Sequence, residues 1–213
     1  MILAPNATPS LISPNADFSC KPDAAPLKLG VLASGSGSNF EAIAQSIADR
    51  QLNAKIQVLI YNNSDAKAAA RAARWHIPAV LLNHRNFASR EALDRAIVQT
   101  LCDHDVEWAI MAGWMRIVTD VLINAFRDRV INIHPSLLPS FKGAHAIQQA
   151  FEAGVKITGC TVHLVRLEVD SGQILMQAAV PILPDDTVET LQARIQVQEH
   201  RIFPQAIAIA AQL

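Results

Sequence analysis

The chain has 213 residues, 51% of them apolar and 17% charged, with a formal net charge of −1. That length supports one large or two small domains with a sizeable core, and the composition excludes a disordered chain. The near-zero charge excludes a polybasic nucleic-acid binder, so any anionic ligand must be held by a few local groups.

Three cysteines, Cys20, Cys102 and Cys160, are widely spaced with no CxxC and read as free thiols in a reducing compartment. No uninterrupted apolar run approaches the roughly 20 residues of a membrane helix. The N-terminus lacks the basic start and apolar core of a signal peptide. The expectation is a cytoplasmic protein with no membrane and no nucleic-acid partner.

Residues 1–27 hold five prolines, Pro5, Pro9, Pro14, Pro22 and Pro26, and no clear period. They are expected to form a flexible leader, with a single domain over 28–213. Leu27–Ala33 is a short apolar run and predicts a first buried strand. Ser34-Gly35-Ser36-Gly37-Ser38-Asn39 follows, and then Phe40, Ile43, Ala44 and Ile47 at helical spacing. Ser38 and Glu41 match a capping box. Strand, glycine-rich turn and helix together make a phosphate site from exposed N–H groups and the helix dipole. The plainer alternative is that the glycines serve tight turning only. The turn is not Walker A, because no Gly-Lys-Ser/Thr follows. Nor is it the dinucleotide fingerprint, because Phe40 stands at the third glycine position and the next strand ends in Tyr61-Asn62-Asn63 without a ribose-binding acid.

Ala54–Tyr61 predicts the second strand, Asp65 to Trp75 an alanine-rich helix, and Ala79–Leu82 a third strand. Ser89 is positioned to cap a helix running to Asp103, with Leu93, Ile97 and Leu101 as its inner stripe. Val106–Met111 predicts a fourth strand. This alternation implies an α/β fold with a parallel sheet and right-handed crossovers. After the fourth strand, Gly113 permits a sharp exit into Trp114-Met115-Arg116-Ile117-Val118. Those apolar residues are either core or the wall of a pocket for a flat heterocycle.

Thr119–Phe126 reads as a short helix and Asp128–His134 as a strand. Pro135 and Pro139 stop that strand, since proline fixes φ and has no N–H for the ladder. Asn132 and His134 are two apart, so one strand puts both side chains on one face, at the end where open α/β sheets bind ligands. Ala144–Ala153 predicts a helix stopped by Gly154, and His145 reads as a surface or capping residue. Thr158–Leu167 and Gln173–Val180 predict two more strands around a turn at Glu168-Val169-Asp170-Ser171-Gly172. His163 reads as a sheet histidine with a local partner. A last helix starts after Asp186-Thr187, with Val188, Leu191, Ile195 and Val197 as its apolar side, and Phe203-Pro204 interrupts it.

A histidine near a carboxylate can be kept protonated near neutrality. With an amide N–H aimed at the same carbonyl oxygen it would stabilise a tetrahedral oxyanion and shuttle a proton from an attacking amine. Asn132, His134 and Asp170 are the candidates, and sequence alone leaves open whether Asp170 reaches His134. There is no Gly-x-Ser-x-Gly elbow, no HExxH and no clustered His/Cys metal set, so no metal is expected.

Asn132-Ile133-His134-Pro135-Ser136-Leu137-Leu138-Pro139, with Asp170 at 36 positions beyond His134, resembles the signature of the folate-dependent formyltransferases. Within them the chain is similar to the branch that formylates phosphoribosylglycinamide, through residues 34–39, 112–117 and Gln198-Glu199-His200. The resemblance implies a Rossmann-like formyltransferase fold, mostly parallel, with helices on both faces. It implies transfer of the formyl group of 10-formyltetrahydrofolate, a co-substrate, to the glycinamide amine of phosphoribosylglycinamide in purine synthesis. It places Asn132, His134 and Asp170 in catalysis. Gly37, Ser38, Asn39 and Glu199 would hold the ribonucleotide, and Arg90, Met115, Arg116, Ile117, Val118, Glu168 and Val169 the folate. A monomer and a homodimer both stay open. A sugar-nucleotide formyltransferase, a 10-formyltetrahydrofolate deformylase and a non-catalytic phosphate-binding module are the alternatives.

Overall fold

The computed structural model describes residues 11–14 and 25–213. Eight strands form one sheet: β1 (Leu11–Ser13), β2 (Leu27–Ala33), β3 (Ala54–Tyr61), β4 (Ala79–Leu81), β5 (Trp108–Met111), β6 (Val130–His134), β7 (Ile157–Leu164) and β8 (Ile174–Pro181). Their order is β1-β8-β7-β6-β5-β2-β3-β4. Strands β4, β3, β2, β5 and β6 run parallel, whereas β7, β8 and β1 are added antiparallel. The expected α/β class with a mostly parallel sheet is what the chain adopts.

Among the described residues six α-helices cover the sheet: α1 (Ser38–Ala48), α2 (Ala68–Arg74), α3 (Arg90–Asp103), α4 (Asp120–Ala125), α5 (Ala146–Glu152) and α6 (Val188–Ala210). Phe40 and Ile43 of α1 pack with Leu191, Ile195, Ile202 and Phe203 of α6 against one face, joined by Ala68 and Ala72 of α2. Leu93, Ile97 and Leu101 of α3 pack with Leu122 and Phe126 of α4 on the other. The chain therefore changes face after β4. Outside the carboxyl ends of the adjacent strands β2 and β5 lies the crevice where such sheets bind ligands.

Several expectations change at the ends of elements. Of the leader, residues 1–10 and 15–24 lie outside the described residues, while Leu11–Ser13 pair antiparallel with Gln177–Ala179 on the sheet edge. Helix α2 is shorter than Asp65–Trp75, because Asn63 takes the Ala66 N–H and forms a turn there instead. The capping box at Ser38 does not form: Gly37, at φ 72°, is the N-cap, and no side chain caps the helix. Glu41 is drawn off by distant partners instead, as described below. The true box lies at α6, where Thr187 and Thr190 exchange side-chain and backbone bonds. Pro204 does not interrupt α6, which runs on to Ala210. One missing N–H costs a single helical bond, and the burial of Ile202, Phe203, Pro204, Ala206 and Ile207 outweighs it. Val197 faces solvent at 55% exposure, so the apolar side turns through Gln198 and Glu199 instead.

Candidate active site

Three strand ends build one cavity. After β2 come Ser34–Asn39; after β5 come Ala112–Val118; β6 itself ends in Asn132 and His134. All line a cleft of about 870 Å³, together with Arg90, Val169, Asp170 and Glu199. The tips of β2 and β5 are tied to each other, since the Ser34 N–H donates to the Gly113 carbonyl (3.1 Å) and the Met115 N–H to Ser34 Oγ (2.8 Å). A smaller groove between α1 and α6 shares none of the candidate residues.

At the β6 end, His134 is 5% exposed. Its Nε2 donates to the Phe141 carbonyl (2.8 Å), and its Nδ1 lies 3.3 Å from Asp170 Oδ2. The Phe141 carbonyl can only accept, so Nε2 carries a proton, and Nδ1 faces the Asp170 carboxylate. Asp170 sits in the β7–β8 turn at φ 48°, and its Oδ2 also accepts the Gly143 N–H (2.7 Å). The turn and the loop after β6 are joined again by Lys142, whose ammonium donates to Glu168 (2.9 Å). The Pro135–Pro139 stretch is anchored underneath. Thr161 Oγ1 donates to the Ser136 carbonyl and accepts from the Leu138 N–H, while the Gln177 amide donates to the Leu138 carbonyl (3.0 Å).

Sequence reasoning missed His163 as part of this cluster. Antiparallel pairing sets it directly beside Asn132. Its Nδ1 faces the carbonyls of Leu164 (2.9 Å) and Ser171 (3.1 Å), so Nδ1 carries the proton. Burial pushes its pKa down, with those carbonyls and the Asp170 charge opposing only in part. The neutral ring then offers Nε2 as an acceptor for the Asn132 amide, 3.2 Å away. This orients Asn132 Nδ2 and leaves its second N–H for a ligand. The local carbonyl partners were the expected part; the Asn132 contact depends on strand register, which no local pattern carries.

At the other end of the cleft, Asn39 and Glu199 are both buried, and Asn39 Nδ2 donates to Glu199 Oε2 (2.9 Å). Burial pushes the Glu199 carboxyl up, opposed by that hydrogen bond. Asn39 Oδ1 is buried without a partner. An acceptor beside a carboxylate fits a ligand that brings hydroxyl donors.

Between the two ends the wall is apolar and open. Met115 is 72% exposed, Ile117 54%, Leu167 66% and Val169 41%. Apolar side chains facing one cleft at such exposure fit the face of a flat heterocycle better than core. Leu167 is a further residue that sequence reasoning did not single out. His145, expected as a surface or capping residue, is exposed and stands at the N-cap position of α5, where it also lines the cleft. Glu168 does not line it, being turned to Lys142. Among the described residues, no group of three or more His, Cys, Asp or Glu side chains could hold a metal ion.

The family model for formyl transferases matches residues 27–207. The chain belongs to the formyl transferase family. Among its relatives is a phosphoribosylglycinamide formyltransferase of Bacillus subtilis, 42% identical over 180 residues, covering 84% of this chain and 92% of that protein. A human trifunctional purine biosynthetic protein is 41% identical over 184 residues, 86% of this chain. The chain spans less than a fifth of the length of such trifunctional relatives, 18% of the human one. Of solved structures in the family, a glycinamide ribonucleotide transformylase from Symbiobacterium toebii superposes with TM-score 0.85 at 42% identity, covering 90% of this chain and 91% of that one. A phosphoribosylglycinamide formyltransferase from Bacillus halodurans follows at TM-score 0.83 and 42% identity, covering 85% and 93%. No helix among the described residues is long and apolar enough to cross a membrane.

Proposed function

We propose that this formyl transferase moves the formyl group of 10-formyltetrahydrofolate onto the amine of phosphoribosylglycinamide. The observation that carries the reading is that one cleft holds a carbonyl-polarising cluster and an anion-type loop, with an exposed apolar wall between them. The Bacillus subtilis relative, similar along nearly its whole length, is named for the same activity. Gly37, Ser38 and Asn39 would take the phosphate and Glu199 the ribose hydroxyls. The pteridine would lie on Met115, Arg116, Ile117, Val118 and Val169, with Arg90 near the carboxylate tail.

In the reaction the amine attacks the formyl carbon, so a C–N bond forms and the carbonyl oxygen gains negative charge. Asn132 donates its free N–H to that oxygen, and His134 stands beside it. Donors aimed at developing charge in a low-dielectric site lower the barrier. Asp170 holds His134 through the carboxylate contact at 3.3 Å. Collapse then breaks the bond to the folate nitrogen, which takes up a proton as the amine loses one, with His134 the group placed to move it. No protein nucleophile and no covalent enzyme intermediate is needed.

The test is an absorbance assay of folate product with purified protein, 10-formyltetrahydrofolate and phosphoribosylglycinamide. Amine-dependent turnover is expected. No turnover would overturn the reading, and formate release without the amine would point to hydrolysis.

A further inference from the structure

The glycine-rich loop is backed by α2, and the backing is more specific than packing. The Gly35 carbonyl accepts the Ala68 N–H (3.2 Å), and the Ser36 carbonyl accepts Arg71 Nε (2.8 Å). Arg71 is itself held, because its Nη1 donates to Glu41 Oε2 (2.9 Å). Glu41 is fixed in turn by Arg74 (2.8 Å) and by the Trp75 indole N–H (2.9 Å). These partners are where the carboxylate expected to cap α1 has gone. Burial pushes the Glu41 carboxyl up, but the bonds from Arg71 and Trp75 and the charge of Arg74 outweigh it and hold it below the usual range. The contact leaves no slack, since a Cβ at Gly37 would stand 2.8 Å from the Ala68 backbone.

In a planar trans peptide the C=O and the following N–H point in opposite directions. Two successive carbonyls held on the α2 side therefore aim the Ser36 and Gly37 N–H groups the other way. Neither N–H has a hydrogen-bond partner among the described residues. The cleft lies on that side: Gly35 to Asn39 line it, and no residue of α2 does.

We propose that Arg71 is a positioning residue for phosphate recognition: by holding the Ser36 carbonyl against α2 it aims the Gly37 N–H at a phosphate monoester in the cleft, and Glu41 holds Arg71 for that purpose. The proposal takes from the formyl-transfer reading only the identity of the molecule that carries the phosphate. Arg71 lies behind the loop and acts through it.

Two measurements on the full chain test it. The first is the ratio of kcat/KM for phosphoribosylglycinamide to that for the dephosphorylated riboside. Arg71→Met is expected to lower this ratio about tenfold or more, the scale of one charge-assisted hydrogen bond, mainly through KM for the ribonucleotide. Arg71→Lys has one donor group where two directions are needed and should fall between. Glu41→Gln should show a smaller loss in the same ratio. An unaltered ratio, or full rescue by lysine, overturns the orienting role; equal losses for both substrates mean that Arg71 only supports the fold. The second measurement is calorimetric titration with ribose 5-phosphate against ribose, which needs no turnover. If the wild type prefers the phosphate and Arg71→Met loses that preference, the inference holds even for a protein that fails the formyl-transfer assay. If the wild type shows no preference, the inference fails whatever the enzyme transfers.

Discussion

The two ends of the cleft are finished to different degrees. At the β6 end each catalytic candidate is held by a partner inside the protein, His134 by Phe141 and Asp170, Asn132 by His163 and Asp170 by Gly143, and the second Asn132 N–H is the donor left over. At the α1–α6 end polar capacity is left over. Asn39 Oδ1 is buried without a partner, Glu199 is buried with a single hydrogen bond from Asn39, and the Ser36 and Gly37 N–H groups are open. A donor whose side chain is already held in place does not need to reorganise when charge develops, which is what transition-state stabilisation requires. The buried open groups among them, Asn39 Oδ1 and Glu199, carry a desolvation cost that a ligand removes, which favours binding. In the proposed reaction the first end would serve rate and the second affinity.

The sharpest break of this contrast would come at Asp170. In Asp170→Asn an amide oxygen can stay where Oδ2 accepts from Gly143 and lies beside His134, so the change isolates the negative charge. Together with His134→Ala it is expected to lower kcat by about 10²–10⁴-fold, the usual range for losing a general acid–base group. Ribonucleotide affinity should change far less. Equal losses in affinity, read by calorimetry, would make both residues structural and remove the distinction between the ends.

Glu199→Gln probes the opposite end. It should weaken the ribonucleotide about tenfold or more and leave kcat at saturation much less affected. Its stability effect has a definite sign. The folded carboxyl titrates above its usual value, so the unfolded chain ionises first as pH rises. The wild type thus gives up stability as pH climbs through the folded pKa, and the neutral amide does not. The variant without ligand should melt higher than the wild type at pH 8, by about 2–4 °C for each kcal/mol. The gap should close at acid pH. A lower melting temperature at pH 8 would mean that Glu199 is satisfied in the free protein.

His163→Leu asks whether the β6 end owes its order to that ring. Releasing Asn132 from its one side-chain partner should cost about tenfold in kcat, the scale of a net hydrogen bond. The ribonucleotide KM should hold. The depressed pKa of His163 adds a pH signature to stability. The folded ring binds its proton later than the unfolded chain, so the wild type loses stability as pH falls below the usual histidine range, and the leucine variant should lose less. Superimposable pH–melting curves would discount the burial argument.

The site was readable where local pattern and final geometry coincide. Strand alternation puts Asn132 and His134 on one face, and the runs Leu27–Ala33 and Ala54–Tyr61 are strands with those bounds. Ser89 caps α3 because the capping bond closes within a turn. What failed were choices between a local and a distant partner. Glu41 has the spacing for a capping box, but two arginines and an indole outbid one backbone N–H. His163 meets Asn132 only through the β6–β7 register. Pro204 carries a local stop signal that the burial of α6 overrides.

The smallest expected effect lies on the wall between the two ends. Arg90 opens α3 and lines the cleft, and the same helix carries Asp94, which accepts both the N–H and the hydroxyl of Thr119 just past the apolar segment. Arg90 and Met115–Val118 are thus referenced to one helix, so a folate on that segment would present its tail towards Arg90. The contact is with solvent-exposed charge, and exposed ion pairs contribute about 0.2–1 kcal/mol. Arg90→Ala should therefore raise the folate KM only about 1.4- to fivefold, by conversion of that energy, with the ribonucleotide KM held and the effect fading at high salt. Loss of ribonucleotide affinity instead would place Arg90 with the binding end, and an unaltered folate KM would remove it from the site.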